Sequence, residues 1–348
     1  MPSLHCGAIT VVVGRTGTKE ALSHFLILAF DQGHKLLDWF FNTFEFLTRG
    51  KSTRELEQWL DVPVKQLRAT DLGYSTFDIK KRSGKTRKID SPNPNLKALQ
   101  RTILRKLLQG LKVHESAVGF EKGKSIVTAA KQHVDKQIVL NFDIVDFFPS
   151  ISDLQIKQYF RAIGWNLASA NLLTRLVTYK GRLPQGAPTS PRLSNLVNYG
   201  MDYRLKSYVA QFDGAYTRYA DDITVSFLEE PYESIHDVSR TIRQIINSCG
   251  YRPHTGRKLK IRRRNKRQTV NGLIVNEKIN LPRERRRWLR AVKHRARSHW
   301  NWSDSSEVDG FSKSTSGKIP TINKAEFFGW LAFENMVLNA DDASADTD

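Results

Sequence analysis

Two apolar segments of this chain run directly into aspartate residues, and this arrangement limits the possible folds more than any other feature. Gln137–Phe142 ends at Asp143, and residues 216–227 carry Asp221 and Asp222 between two strand-like runs. Short apolar runs of this kind are typical of strands buried in a sheet, and the second region reads as strand, tight turn, strand. The chain is therefore predicted to contain a sheet whose surface carries three carboxylates.

Three carboxylates in one cleft would need a cation beside them. Two carboxylates about 4 Å apart repel by about 4 kcal/mol at an effective dielectric constant of about 20, but by only about 1 kcal/mol in water. Aspartate oxygens, water and a substrate phosphate together suit Mg²⁺ better than a softer metal. An Asp-Asp turn is also common on protein surfaces, so it is the apolar strands beside Asp221 and Asp222 that favour a site. Two metal ions in such a cluster serve nuclease and polymerase chemistry alike.

The net charge indicates a polyanionic partner. The 348 residues include 55 Lys and Arg against 35 Asp and Glu, which gives a formal net charge of +20. The usual polyanion is nucleic acid; an anionic membrane is the alternative, although no lipidation signal is visible. A hydrophobic content of 40% excludes general disorder. The longest early apolar run, Ala21–Phe30, is too short to span a membrane, so the protein is expected to be soluble and intracellular.

Two segments concentrate the positive charge. Residues 77–92 predict a β-hairpin with a Ser-Gly turn and cations at its tip, which is either a solvated hairpin or a flap that grips a phosphate chain. Residues 252–297 carry cations across a strand-like segment and a helix that begins at Pro282. A charge run is usually a solvated face, but one long basic surface also fits the phosphates of a duplex, independent of base sequence.

Five motifs, in this order, make the sequence resemble prokaryotic reverse transcriptases, and among these the retron type. They are FDIVDFFPSI (142–151), LPQGAPTSP (183–191), YTRYADD (216–222), GYRPHTGRKLK (250–260) and VNGLIVN (270–276). LPQGAPTSP is the one closest to a retron signature. The matches run from Phe77 to Leu338, about three quarters of the chain. The resemblance implies an RNA-directed DNA polymerase located in the prokaryotic cytoplasm.

The resemblance also implies an α+β fold with the right-hand architecture of polymerases. Its palm is an antiparallel sheet backed by helices, and its thumb is helical. In chain order the implied parts are an N-terminal extension (1–48), fingers (49–136, with 153–182 inserted), palm (137–276), thumb (277–340) and an acidic tail (341–348).

The same resemblance assigns site residues. Asp143, Asp221 and Asp222 match the catalytic carboxylates that hold two Mg²⁺ ions, and Phe148 matches the steric gate that excludes a ribose 2′-OH. The other residues implied to bind the dNTP are Lys81 and Arg87 of the hairpin, Gln185 of the LPQG turn and Lys258, matched to a late lysine that protonates leaving pyrophosphate.

Two retron marks are present in altered form, and in retron enzymes these regions bind a structured noncoding RNA. The family's Asn-Ala-x-x-His appears with Ala129 in the Asn place, and its Val-Thr-Gly appears with Asn271 in the Thr place. Both changes bear on RNA recognition and leave catalysis untouched. The residues expected to bind RNA are His133, Val270, Asn271, Gly272 and, on the basic helix, Arg285, Arg286 and Arg287. A lone histidine such as His133 is more often a structural residue with satisfied hydrogen bonds, so that alternative stays open.

The expected partners are the cognate noncoding RNA, an RNA–DNA hybrid, dNTPs and an accessory effector protein, without a membrane. The implied product is a branched RNA–DNA molecule that serves in antiphage defence. Two alternatives stay open: another defence-associated or group II intron-like reverse transcriptase without a retron RNA, and a catalytically silent RNA-binding scaffold. The intact set of three aspartates together with Gln185 argues against the scaffold.

Overall fold

The structure is a computed structural model that describes residues 50–80, 84, 86–232, 234–254, 259–299 and 324–340. The predicted N-terminal extension (1–48) and acidic tail (341–348) lie outside these residues. The helices are α1 Thr53–Leu60, α2 Val64–Ala69, α3 Pro94–Ile103, α4 Ile126–Lys131, α5 Phe147–Ser150, α6 Asp153–Ala162, α7 Leu167–Val177, α8 Ser190–Val197, α9 Tyr199–Ala210, α10 Ile235–Ser248, α11 Arg283–His299 and α12 Lys324–Leu338. The strands are β1 Tyr74–Lys80, β2 Thr86–Pro92, β3 Ile138–Asp143, β4 Ala215–Tyr219, β5 Asp222–Phe227, β6 Lys260–Arg263, β7 Thr269–Val270 and β8 Leu273–Ile274.

A four-stranded antiparallel sheet lies at the centre of the fold, in the strand order β4-β5-β3-β6. Its two inner strands are the apolar runs that the sequence singles out: in β5 every residue after Asp222 is buried. Helices and antiparallel sheets together make an α+β fold, as predicted.

The side chains of β3 alternate between two cores, as expected for a strand covered on both faces. Ile138, Leu140 and Phe142 belong to the larger core, to which α9 and α10 contribute. Val139 belongs to a second core that includes residues of α4, β7, β8 and the two C-terminal helices. The sheet is therefore rigidly held from both sides, which fixes the positions of the aspartates at its end.

The basic segment 77–92 forms the predicted hairpin. β1 and β2 pair antiparallel from Tyr74 opposite Pro92 to Lys80 opposite Thr86. Asn93 caps the following helix α3, because its side chain accepts a hydrogen bond of 2.8 Å from the Leu96 amide, and Pro94 stands in the first turn.

A second, short hairpin and two helices form the C-terminal part. Asn271 and Gly272 connect β7 to β8 with φ angles of 46° and 88°, the left-handed pair that a two-residue hairpin turn requires. The helices α11 and α12 pack through Trp288 and Trp330, whose ring centroids lie 5.5 Å apart. Within the described residues, no helix is both long and apolar enough to cross a membrane.

Candidate active site

Asp143 and Asp222 lie directly opposite each other at the end of the central sheet. They are the last pair in the antiparallel register of β3 and β5. Asp221 is the preceding turn residue, and its carbonyl accepts a hydrogen bond of 3.1 Å from the Ile144 amide. Asp222 is exposed, and the other two aspartates are half-buried. The fold thus brings the backbone of Asp143 to the same end of the sheet as the Asp221-Asp222 pair, which is nearly 80 positions later in the chain.

The turn that carries Asp221 contains a strained residue. Tyr219 and Asp222 close a two-residue connection in which Ala220 has a φ of 56°. A residue with a Cβ atom in this left-handed region costs about 1–2 kcal/mol. Surrounding contacts must therefore hold the turn in this conformation.

A buried ion pair supplies one of these contacts. The Arg218 guanidinium donates to both carboxylate oxygens of Asp202 at 2.7 Å, and both side chains are completely buried. It also donates to the carbonyl of Ala220 at 3.2 Å. Burial alone would lower the pKa of Arg218, but the charge and hydrogen bonds of Asp202 raise that pKa above its ordinary value. The cation therefore stays charged and binds the strained turn directly.

The segment 116–121 lies against the other side of the turn. The Ser116 carbonyl accepts from the Arg218 amide at 2.8 Å, and the Val118 amide donates to the Arg218 carbonyl at 2.9 Å. A Cβ atom on Gly119 would come within 2.9 Å of the Ala220 nitrogen and 3.2 Å of the Tyr219 Cα. Only glycine fits here without moving the turn.

Asn195 of α8 ties this segment to the buried ion pair. Its amide nitrogen donates to the Gly119 carbonyl and to the Glu121 carboxylate, both at 2.7 Å. Its amide oxygen accepts from Arg218 at 3.2 Å. Glu121 is in turn paired with Arg192. A continuous polar network therefore surrounds the turn on the side away from solvent.

The LPQG turn is seated against the base of the β1–β2 hairpin. The Gln185 carbonyl accepts a hydrogen bond of 2.9 Å from the Asp90 amide. Gly186 has a φ of 134°, and a Cβ atom there would lie 2.8 Å from the Asp90 carbonyl oxygen and from Ile89. Gln185 itself is half-buried. The contact fixes where the hairpin stands relative to Gln185.

The remaining residues expected to bind the dNTP are only partly placed. Phe148 is half-buried on α5, while its neighbour Phe147 is in the core. Arg87 is exposed near the free end of the hairpin, opposite Ile79. Lys81 and Lys258 lie outside the described residues, although the chain leading toward Lys258 starts beside Asp143, whose carbonyl accepts from the His254 amide at 2.7 Å.

His133 does not lie at a surface, and the prediction that it contacts RNA is corrected here. Its ring is completely buried against the side chains of the paired strands β4 and β5, with Nδ1 2.7 Å from the Ser226 hydroxyl and Nε2 2.7 Å from the Thr217 hydroxyl. Burial lowers the pKa of His133 to about 3, so the ring is neutral. A ring whose two nitrogens are both occupied inside the protein has no atom left for a ligand.

Two other residues expected at the RNA interface are also structural. The Val270 side chain is completely buried, whereas Asn271 in the turn of that hairpin is half-buried and Gly272 is exposed. The Arg285 guanidinium lies 4.2 Å from the Trp330 ring centroid and helps to join the two C-terminal helices. By contrast, Arg286 and Arg287 are exposed.

Comparison with known proteins identifies the family. A family model described as reverse transcriptase (RNA-dependent DNA polymerase) matches residues 79–263. The retron Ec86 reverse transcriptase of Escherichia coli is 31% identical over 280 residues, covering 78% of this chain and 86% of that protein. This chain belongs to the retron-type reverse transcriptases. The retron Mx65 enzyme of Myxococcus xanthus is 35% identical over 256 residues, and the chain spans 59% of its length.

A second Myxococcus xanthus relative, the retron Mx162 reverse transcriptase, is 33% identical over 288 residues, which cover 71% of this chain and 59% of that protein. Reverse transcriptases use dNTPs and divalent metal ions to synthesise DNA on an RNA template. The three aspartates of this reverse transcriptase offer oxygen donors only, which suits such ions. In the described residues, no three acidic, histidine or cysteine side chains already converge on one point.

The sequence did not reveal several residues that build this site. Arg218 lies inside the recognised YTRYADD motif, but its partner Asp202 is sixteen positions earlier and carries no local signal. Gly119 and Asn195 are 76 positions apart and meet only in the fold. The one available sign was a charged residue, Arg218, in an otherwise apolar strand.

Proposed function

We propose that this reverse transcriptase copies part of a cognate structured noncoding RNA into DNA, with Asp143, Asp221 and Asp222 as its catalytic carboxylates. The observation that carries the proposal is the register of β3 and β5, which pairs Asp143 with Asp222 at an accessible end of the sheet. The exposed position of Asp222 leaves room for substrate phosphates.

The three carboxylates would hold two Mg²⁺ ions. These ions would assist the attacking hydroxyl and neutralise charge on the transferred phosphate. The primer hydroxyl attacks the α-phosphate of the dNTP, a new P–O bond forms, and pyrophosphate leaves. Lys258 would give a proton to the pyrophosphate, while Lys81 and Arg87 bind the triphosphate. Gln185 would line the nucleotide, held in place by its contact with Asp90.

The sugar is selected at Phe148 in this proposal. Its ring is half-buried on α5, and α5 begins four residues after Asp143. A ring under the sugar C2′ leaves no room for a 2′-hydroxyl, so deoxyribonucleotides are preferred. Phe147 is only 4% exposed and anchors α5 in the core. The backbone of the neighbouring Phe148 is therefore held in place.

The parts of the chain fit a right-hand arrangement. Helix α7 (within 153–182) packs with the N-terminal helices α1, α2 and α3, as inserted fingers would, and α6 packs against α7; for example, Gln100 donates to the Leu176 carbonyl at 2.8 Å. The four-stranded sheet would be the palm, and α11 with α12 the thumb. On the thumb, the exposed Arg286 and Arg287 would bind backbone phosphates of the RNA–DNA hybrid.

The biological role follows from the enzyme class. The RNA is expected to supply a guanosine 2′-hydroxyl as primer, which gives a branched RNA–DNA product, and the product would act with an effector protein in antiphage defence. Of the two altered positions in the RNA marks, Ala129 is buried and Asn271 is half-buried beside the exposed Gly272, so the turn at Asn271 and Gly272 would contact the RNA. The 2′-hydroxyl primer separates this role from that of an intron-like reverse transcriptase.

The test is to purify the protein from its host and sequence the nucleic acid that comes with it. A single RNA species joined through a 2′–5′ linkage to complementary DNA is expected, together with dNTP incorporation on that RNA in vitro. The double variant Asp221→Asn with Asp222→Asn should carry the RNA without the DNA. The same DNA in the double variant would refute the catalytic assignment; DNA without any branch would refute the retron role.

A further inference from the structure

Phe120 is an aromatic residue held in an unfavourable position beside the active site. Its backbone has a φ of 64°, and its side chain is 46% exposed. A bulky residue in the left-handed region is strained, and an exposed ring gains little from burial. Neither local preference nor core packing therefore accounts for a phenylalanine at this position.

The Phe120 ring lies between the proposed gate and the catalytic turn. Its centroid is 6.2 Å from that of Phe148 and 6.0 Å from that of Tyr219. Both distances are within the range of aromatic contact. The three rings therefore form one continuous aromatic wall from α5 to the turn that carries Asp221.

The neighbours of Phe120 hold its backbone in place on both sides. Gly119 allows the chain to approach within contact of the Ala220 nitrogen, as a Cβ atom there would be only 2.9 Å away. Glu121 is bound by Asn195 at 2.7 Å and is paired with Arg192. The segment therefore cannot relax to relieve the strain at Phe120, and the ring stays directed at the wall.

We infer that Phe120 is a positioning residue for sugar selection: it packs against Phe148 and keeps that ring under C2′ of a 2′-deoxynucleoside triphosphate. This inference rests on the gate role proposed for Phe148. A gate ring with solvent behind it can tilt aside for a 2′-hydroxyl, whereas a ring supported by Phe120 cannot. The exposed face of Phe120 would be covered when the nucleotide binds.

The experiment compares dNTP and rNTP incorporation on an RNA template by Phe120→Gly and Phe120→Leu variants of the full chain. Phe120→Gly should lower the ratio of kcat/KM for dNTP over rNTP by about three- to tenfold, the size expected for one aromatic contact. Because glycine accepts the positive φ, the melting temperature should not fall. Phe120→Leu should give an intermediate ratio. Tyr232→Ala, which removes a ring that is 84% exposed on the loop after β5, should leave the ratio unchanged.

Phe148→Ala, alone and combined with Phe120→Gly, separates the two proposals. If Phe148→Ala admits rNTPs and adding Phe120→Gly changes nothing further, then Phe120 acts through Phe148. If Phe148→Ala admits rNTPs but both Phe120 variants keep the wild-type ratio, this inference is overturned and the gate stands. If Phe148→Ala itself keeps the ratio, both the gate and the inference fail.

Discussion

Asp143 at the end of β3 and Asp222 at the start of β5 are register partners in the central antiparallel sheet. The carbonyl of Asp221 accepts from the Ile144 amide, so the strands remain paired into the turn. Backbone hydrogen bonds thus fix the main-chain positions from which the three carboxylates extend. The positions that these bonds impose are the basis of the catalytic proposal.

Breaking the ion pair behind the turn should destabilise the protein strongly. Arg218→Met leaves Asp202 charged and buried without its partner, so the free energy of unfolding should fall by about 3–5 kcal/mol. Denaturant unfolding measures it. Arg240→Met serves as the control, since its pair with Asp237 is exposed and is worth about 0–1 kcal/mol. An equal decrease in the free energy of unfolding in the two variants would show that the buried ion pair contributes no more to stability than the exposed pair.

Replacing Gly186 should weaken nucleotide binding. Gly186→Ala would place a Cβ atom 2.8 Å from the Asp90 carbonyl oxygen and would strain a φ of 134°. The LPQG turn must then move from the hairpin, which should raise KM for dNTP severalfold in steady-state primer extension. Gly110→Ala is the matched control, because nothing lies within 4 Å of its added Cβ atom. A normal KM in Gly186→Ala would mean that the contact does not position Gln185.

His133 should make stability depend on pH. Its pKa is lowered from 6.5 to about 3 by burial, so below pH 6.5 the unfolded chain binds a proton that the folded protein excludes. This contribution is complete above pH 6.5 and is lost as the pH falls toward 3, by about 1.4 kcal/mol per pH unit.

The variant His133→Gln lacks that titration. Between about pH 6 and pH 4, its free energy of unfolding should therefore fall less steeply with pH than that of the wild type. The exposed His236→Gln should keep the wild-type slope. If His133→Gln also follows the wild-type slope, the ring is not buried in its neutral form. The RNA affinity of His133→Gln at pH 7 should equal that of the wild type, whereas a residue that contacts RNA would lower the affinity when replaced.

Arg286 and Arg287 should contribute to RNA binding through phosphates. Replacing both with Gln should weaken binding to structured RNA and reduce the slope of log K against log salt by about 0.7–0.9 for each phosphate that the protein no longer neutralises. Filter binding at several salt concentrations provides the slope. The pair Arg240→Gln and Arg243→Gln on α10 has the same charge change and should leave the slope as it is. Identical slopes in both double variants would remove the α11 arginines from the interface.

The strands and turns of the site were predictable because their signals are local. The apolar run before Asp143, the Tyr-x-Asp-Asp turn and the hairpin over residues 77–92 each follow from a few adjacent residues. The resemblance to reverse transcriptases then supplied the family, which the family match bears out.

The supporting network was not predictable because its members are distant in the chain. Nothing near Asp202 indicates a buried arginine partner, and nothing near Gly119 indicates contact with the catalytic turn. His133 was misassigned as an RNA contact for a related reason: its two hydroxyl partners come from strands 84 and 93 positions later. Burial of a polar side chain depends on tertiary packing, which a motif does not encode.

The most direct test of the account is primer extension on an RNA template by Asp143→Asn beside Asp146→Asn. Asp146 is an exposed carboxylate three residues later, and its φ of 46° is well tolerated by asparagine, so the two variants lose the same charge in the same segment. The account predicts that Asp143→Asn abolishes dNTP incorporation while Asp146→Asn retains it. Incorporation by a folded Asp143→Asn variant at the wild-type rate would contradict it.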